Sequence, residues 1–223
     1  MHQNRTLTDG GWKSRAVIKK ILLSRWTKAL LFAACLIPLL NLGWRAWNQD
    51  LTANPIEYIT HKTGDWTIRF LMITLTVTPL RLLLHEPQLV RFRRMLGLFA
   101  FFYASLHFSV WFCLDKFFDF SEMGKDILKR PFITIGMAAL LMLIPLAVTS
   151  TNGWVRRLGY KRWQRLHRLV YLIALLGVIH YYWLVKSDVR LPLMYGAIWA
   201  VLMVPRGVEW LRKRSRSTAT VAG

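Results

Sequence analysis

The sequence predicts an all-α integral membrane protein, a six-transmembrane-helix bundle with both termini in the cytoplasm (N-in/C-in). Three observations predict it. Hydrophobic residues make up 54% of the 223, with a mean hydropathy of +0.31, and they gather in runs of about 20, the length that crosses roughly 30 Å of hydrocarbon. The charged residues fall in short clusters between those runs. The clusters on alternate sides differ strongly in net charge, as the positive-inside rule requires. A formal charge of +20 raises nucleic acid as a partner, but cations confined to inter-run links are the pattern of membrane loops rather than of a basic binding face.

Each element follows in order. Residues 1–27 form a basic interfacial N-terminus: KKILLSRW is amphipathic, and a disordered start is expected to about residue 12. No short apolar core with a small-residue cleavage site follows, so the first span is expected to direct insertion uncleaved. Residues 28–210 make one membrane domain. The first span covers about 28–47, with Trp44 and Trp47 as interface anchors. A loop of about twenty residues containing NPIEYITHKTGDW precedes the second span, about 66–84, whose Pro79 a packed membrane helix tolerates. The third span is about 95–113. The loop DKFFDFSEMGKDILKRP has room for a short surface helix before the fourth span, about 131–149, with Pro131 in its first turn. The link TNGWVRRLGYKRWQR is basic. The fifth span is about 167–185 and the sixth about 192–210, followed by a polar, frayed tail over 211–223. Neither an internal repeat nor a second domain is read. Cys35 and Cys113 lie in different runs and imply no disulfide framework.

The charge count fixes the orientation. Residues 1–28, 80–94, 151–168 and 206–223 hold 22 Lys and Arg against three acids, a net of +19. Residues 45–69, 114–130 and 186–190 hold nine against eight, a net of +1. The first set belongs in the cytoplasm.

Three histidines lie within spans: His107 in the third, and His167 and His180 in the fifth. An ionisable group in hydrocarbon is costly and usually faces the bundle interior with a partner. The third and fifth spans run in the same direction. His107 lies about twelve residues up its helix and His180 about thirteen, roughly 18 and 20 Å at 1.5 Å per residue. Two imidazoles at one depth on separate, like-directed helices are the arrangement a bis-histidine haem needs, and ligation removes most of the burial cost. The competing reading is that each histidine hydrogen-bonds a neighbouring helix.

His167 sits at the inner end of the fifth span. Fourteen residues before His107, at nearly the same helical face, stands Arg93. Arginine offers no lone pair to iron but suits an anionic haem propionate or flavin phosphate. The inner site is therefore read as a half-site, His167 with Arg93 or His167 with an unidentified ligand at a second metal site, against the plainer reading of an interfacial imidazole between Arg165 and Arg168. His167 and His180 stand about 140° apart on an ideal helix, so a shared facing needs local distortion. His61 and His85 are read as solvated loop residues. Ser105 and Ser109 flank His107 without a G-x-S-x-G turn, and neither CxxC nor HExxH occurs, so no catalytic residue is assigned.

The segments HKTGDWTIRFLMITLTVTPLR, RRMLGLFAFFYASLHFSVW, KRPFITIGMAALLMLIPLAVTST and LGYKRWQRLHRLVYLIALLGVIHYYWLVK resemble the MsrQ (YedZ) family. These are the haem-binding membrane subunits of periplasmic methionine sulfoxide reductase systems, and they group with the ferric reductase and NADPH oxidase transmembrane domains. The resemblance spans about residues 30–205 and includes the order and spacing of His107, His167 and His180. It implies a ferric reductase-like fold in the bacterial inner membrane and a haem b between His107 and His180, with His167 and Arg93 at the inner position. It also implies FMN, a quinol pool or cytosolic flavin reductase as donor, and a periplasmic molybdopterin partner, MsrP, as acceptor. The chain would then be an electron-transfer subunit rather than the catalytic one. Two other readings stay open. A stand-alone ferric or quinone reductase would turn over without a soluble subunit. A transporter with protonatable histidines would be colourless when purified.

Overall fold

The computed structural model describes residues 19–185 and 187–221, with side chains described through Val208. Six helices are long and apolar enough to cross a membrane, and no strand occurs among the described residues. Lys19 to Leu23 are helical. Residues 1–18, which include the start expected to be disordered to residue 12, lie outside the described residues.

Helix α1 (Arg25–Trp47) begins at Ser24, whose side chain accepts a hydrogen bond from the Trp26 N–H. Pro38 interrupts its hydrogen-bond ladder. At that interruption the buried Tyr103 hydroxyl accepts from the Leu39 N–H at 3.2 Å and donates to the Cys35 carbonyl at 2.9 Å. Cys35 is the one buried residue of α1, and Leu30, Leu40, Trp44 and Trp47 are exposed. A lipid-facing helix presents its apolar side outward in this way.

Helix α2 (Pro55–Leu84) starts eleven residues before the expected second span. The polarity of NPIEYITHKTGDW suggested a loop, but its opening is a helix start: the Asn54 side chain accepts from the Glu57 N–H and Pro55 takes the first position. His61 is therefore helical rather than in a loop, though exposed. The helix ends at His85, exposed and in the left-handed region with φ 56°. Helix α3 (Val90–Ser109) continues as a π-helical segment, Val110–Asp115. The α2–α3 hairpin is cemented by aromatic rings: Phe70 stacks on Tyr103 at 5.2 Å and on Phe99 at 5.7 Å.

The anticipated surface helix is α4 (Phe120–Lys129), capped by Asp119. It is tied to the end of α3 by Lys116, a buried lysine 2.8 Å from Asp126 and 2.9 Å from Glu122. Those two carboxylates hold the ammonium well above its ordinary pKa. Helix α5 (Pro131–Val148) follows. The basic link contains α6 (Asn152–Leu158) and α7 (Tyr160–His167). The chain breaks at Arg168 and resumes as α8 (Leu169–Leu184). This interruption lies between His167 and His180. Helix α9 (Arg190–Val221) continues through the segment expected to fray. Both cysteines are free thiols.

The core lies among α2, α3, α5 and α8, with Tyr195 of α9 closing one side. Loops 48–54, 116–130 and 187–189 share one end of the bundle, called distal below. The other end carries the two described ends of the chain.

Candidate functional site

His107 on α3 and His180 on α8 project into the space between α2, α3, α5 and α8. Their ring centroids are 6.0 Å apart and their planes stand at 83°. His107 Nδ1 lies 2.9 Å from the Thr60 carbonyl on α2, and His180 Nδ1 lies 2.7 Å from the Phe132 carbonyl on α5. A carbonyl only accepts, so each Nδ1 carries the proton and donates. Each Nε2 then keeps a free lone pair, with its ring held at the far nitrogen as metal-ligating histidines commonly are.

Helix geometry explains how the rings fit. Carbonyls point toward the helix C-terminus, so a ring bonded to the carbonyl of residue i lies over residue i+4 on the same face. Those residues are Gly64 and Gly136. A Cβ at 136 would lie 2.7 Å from His180 Nδ1, and one at 64 would lie 3.1 Å from His107 Nδ1. The two halves thus repeat one device: a helix offers a carbonyl and, one turn on, a glycine, and the histidine of another helix lies across both. Sequence reading found neither glycine. The available signal was a glycine in a descending helix at the depth of an intramembrane histidine.

The rings border a cavity of about 900 Å³, walled by Ile68, Leu71, Leu140, Leu143 and Ile173 and reaching Asn54, His61 and Arg130 distally. That volume is within the roughly 300–1,000 Å³ of cofactor sites. The spacing tests the fit further. Metal–imidazole bonds are about 2 Å long. With about 1 Å from each nitrogen to its ring centre, two axial imidazoles on one metal place their centroids about 6 Å apart. The observed 6.0 Å agrees. The residues present fit a haem, which His107 and His180 would hold.

The inner pair is arranged differently. His167 ends α7, its Nε2 3.0 Å from the Thr149 hydroxyl, and its ring stacks on Trp163 at 4.1 Å. Trp163 Nε1 in turn donates to the Thr149 carbonyl at 2.9 Å. Arg94 Nη1 donates to the Asn152 side chain at 2.8 Å, at the same end of the bundle. In this geometry His167 Nε2 already has a partner, unlike the other two.

A family model described as "Ferric reductase like transmembrane component" matches residues 63–178. With six spans and opposed imidazoles, this defines the class as a ferric reductase-like multi-pass membrane domain. Several relatives carry the name protein-methionine-sulfoxide reductase heme-binding subunit MsrQ. The one from Herminiimonas arsenicoxydans is 55% identical over 194 residues, 86% of this chain and 89% of the relative. That from Caulobacter vibrioides is 52% identical over 189 residues, 85% and 90%. That from Rhodospirillum rubrum is 51% identical over 195 residues, 87% and 94%. The chain belongs to the ferric reductase-like transmembrane family, within its MsrQ haem-binding branch.

Proposed function

We propose that this protein is a b-type cytochrome subunit of the bacterial inner membrane. It carries electrons across the bilayer to a periplasmic molybdopterin methionine sulfoxide reductase, MsrP, for repair of oxidised periplasmic proteins. The observation that carries the reading is the opposed pair His107 and His180, each with a proton-bearing Nδ1 fixed on a backbone carbonyl and a free Nε2 6.0 Å across, ring centre to ring centre. A haem bound there supplies a one-electron couple. The chain's own groups ligate it, exclude water with an aliphatic wall and hold both imidazoles in one tautomer. The relatives' name, a heme-binding subunit of a methionine sulfoxide reductase, supports both cofactor and system.

The charge asymmetry supports N-in/C-in orientation. The distal end then faces the periplasm, where loops 48–54 and 116–130 would meet MsrP. Electrons enter at the basic inner end, from the quinol pool or a cytosolic flavin reductase. Arg93 and His167 lie on that side and suit an anionic group of a second cofactor, a haem propionate or the phosphate of FMN.

Reduced-minus-oxidised spectra of the purified protein test the reading. His107→Ala and His180→Ala each abolish the haem α band, and His167→Ala changes it less. Reduced wild-type protein is reoxidised by MsrP with methionine sulfoxide. A normal spectrum in His180→Ala overturns the ligand pair. A haem that stays reduced under those conditions overturns the partner.

A further inference from the structure

A second cavity, of about 510 Å³, lies between α1 and the α2–α3 hairpin. Its α1 side is Ala34, Ile37, Pro38 and Leu42, and its α2 side carries Tyr58, Lys62, Trp66 and Arg69. Ile37 is 60% exposed, so the cavity opens sideways through the lipid-facing surface. Arg45 of α1 completes a set of three cations, and among the described residues no carboxylate lines the cavity.

The cations differ in what holds them. Arg45 bonds the Tyr58 hydroxyl and, on its outward side, pairs at 3.1 Å with Asp50, itself 72% exposed and screened by water. Arg69 stacks over Trp66 at 4.8 Å, and its Nε donates to the Tyr195 hydroxyl at 3.2 Å. Lys62 lies 5.4 Å from the Tyr58 ring centre, and among the described residues it forms no ion pair. Lys62 is seven residues before Arg69 on α2, about 10 Å toward the distal end. Arg45 and Lys62 therefore sit at the distal end of the cavity, toward the membrane boundary, while Arg69, further inward and engaged by Trp66 and Tyr195, lies on the α2 side opposite the apolar wall of Ile37 and Pro38. Lys62, without an ion-pair partner among the described residues, and Arg45, whose Asp50 partner is largely exposed, attract an anionic headgroup at that boundary.

We infer that this cleft binds an anionic membrane phospholipid. Its phosphodiester headgroup lies at Arg45 and Lys62, and the start of an acyl chain runs along Ile37 and Pro38. A free phosphate would use the cations but not the apolar wall or the sideways opening. A phospholipid uses all three.

The test is native mass spectrometry of the full haem-loaded protein, first in detergent and then in nanodiscs of phosphatidylcholine with or without phosphatidylglycerol. The wild type retains one phosphatidylglycerol and prefers it to phosphatidylcholine by about tenfold, one decade of affinity. Arg45→Gln with Lys62→Gln removes that preference while haem content per protein stays at wild type. If the double variant loses haem, Arg45→Gln alone decides, since Arg45 lines this cleft and not the cavity between His107 and His180. Arg156→Gln with Arg157→Gln, exposed cations at the other end, leaves the preference intact. Four results overturn the inference: no preference in wild type, a preference that survives loss of both cations, an equal loss in the Arg156 and Arg157 variant, or release of the lipid by millimolar inorganic phosphate.

Discussion

Gly136→Ala adds one carbon where the His180 imidazole now lies. The new Cβ would be 2.7 Å from Nδ1 and 2.8 Å from Cε1, and ordinary contact begins at 3.4 Å, so something must yield by about 0.7 Å. If the ring moves off α5 by that amount, its 2.7 Å bond to the Phe132 carbonyl stretches to about 3.4 Å, beyond normal hydrogen-bond length. The stability lost is small. A hydrogen bond contributes about 1 kcal/mol net, and membrane-buried ones average roughly 0.6 kcal/mol. The bundle therefore still folds and inserts. What suffers is the aim of Nε2, because metal–ligand distances tolerate only about 0.2 Å. We expect Gly136→Ala to accumulate near the wild-type level with several-fold less haem per protein, by pyridine haemochrome against total protein. The haem that remains should show a weakened α band and a displaced midpoint potential. Gly64→Ala, whose Cβ would meet His107 at 3.1 Å, needs only about 0.3 Å of movement and should have the milder effect. Full haem with an unchanged spectrum and potential in Gly136→Ala would refute the reasoning. So would Gly64→Ala proving the more damaging of the two.

Other outcomes follow from the same geometry. Because the imidazole planes stand at 83°, the oxidised wild type should give a highly anisotropic low-spin EPR signal; a signal typical of parallel imidazoles would count against the observed ring orientation. Lys116→Met strands Glu122 and leaves Asp126 with Arg130 alone; the bridge is shallow, so the cost is about 1–3 kcal/mol, read as a lower melting temperature with the haem spectrum retained. The carboxylates raise the Lys116 pKa, so this stabilisation is complete below the ordinary lysine pKa and is lost only as pH climbs through the higher folded value. A melting-temperature difference between wild type and Lys116→Met that fell between pH 7 and 9 would contradict that sign. Tyr103→Phe removes the hydroxyl bridging Cys35 and Leu39, and should cost about 1 kcal/mol, loosening α1 to limited proteolysis before the haem is lost.

Much of the fold was legible because lipid imposes simple rules. Apolar run length gave the six spans, and the charge clusters gave their alternation. The errors lie where those rules stop applying. Past the hydrocarbon boundary a helix can be polar, so hydropathy missed the first eleven residues of α2 although N-P-x-E marked its start. The same blindness made the tail after residue 210 look frayed. The imidazole pair was legible because depth is a one-dimensional count along each helix. Which carbonyl each ring meets was not, since it depends on helix rotation and crossing, which no residue count supplies.

The glycines show why that missing information matters. A ring that bonds a helix carbonyl must cross the position one turn later, and any side chain there pushes it away. In a water-facing site the ring could shift and find another partner, but inside hydrocarbon its Nδ1 proton has only the carbonyl. Glycine is therefore required by the acceptor rather than by backbone conformation, since neither Gly64 nor Gly136 has a positive φ. The same logic separates His167 from the other two. Its Nε2 is bonded to Thr149 and its face is covered by Trp163, so any ligand role there requires the Thr149 contact to be given up first. His107 and His180 need no such exchange, because the groups that orient them bind the opposite nitrogen.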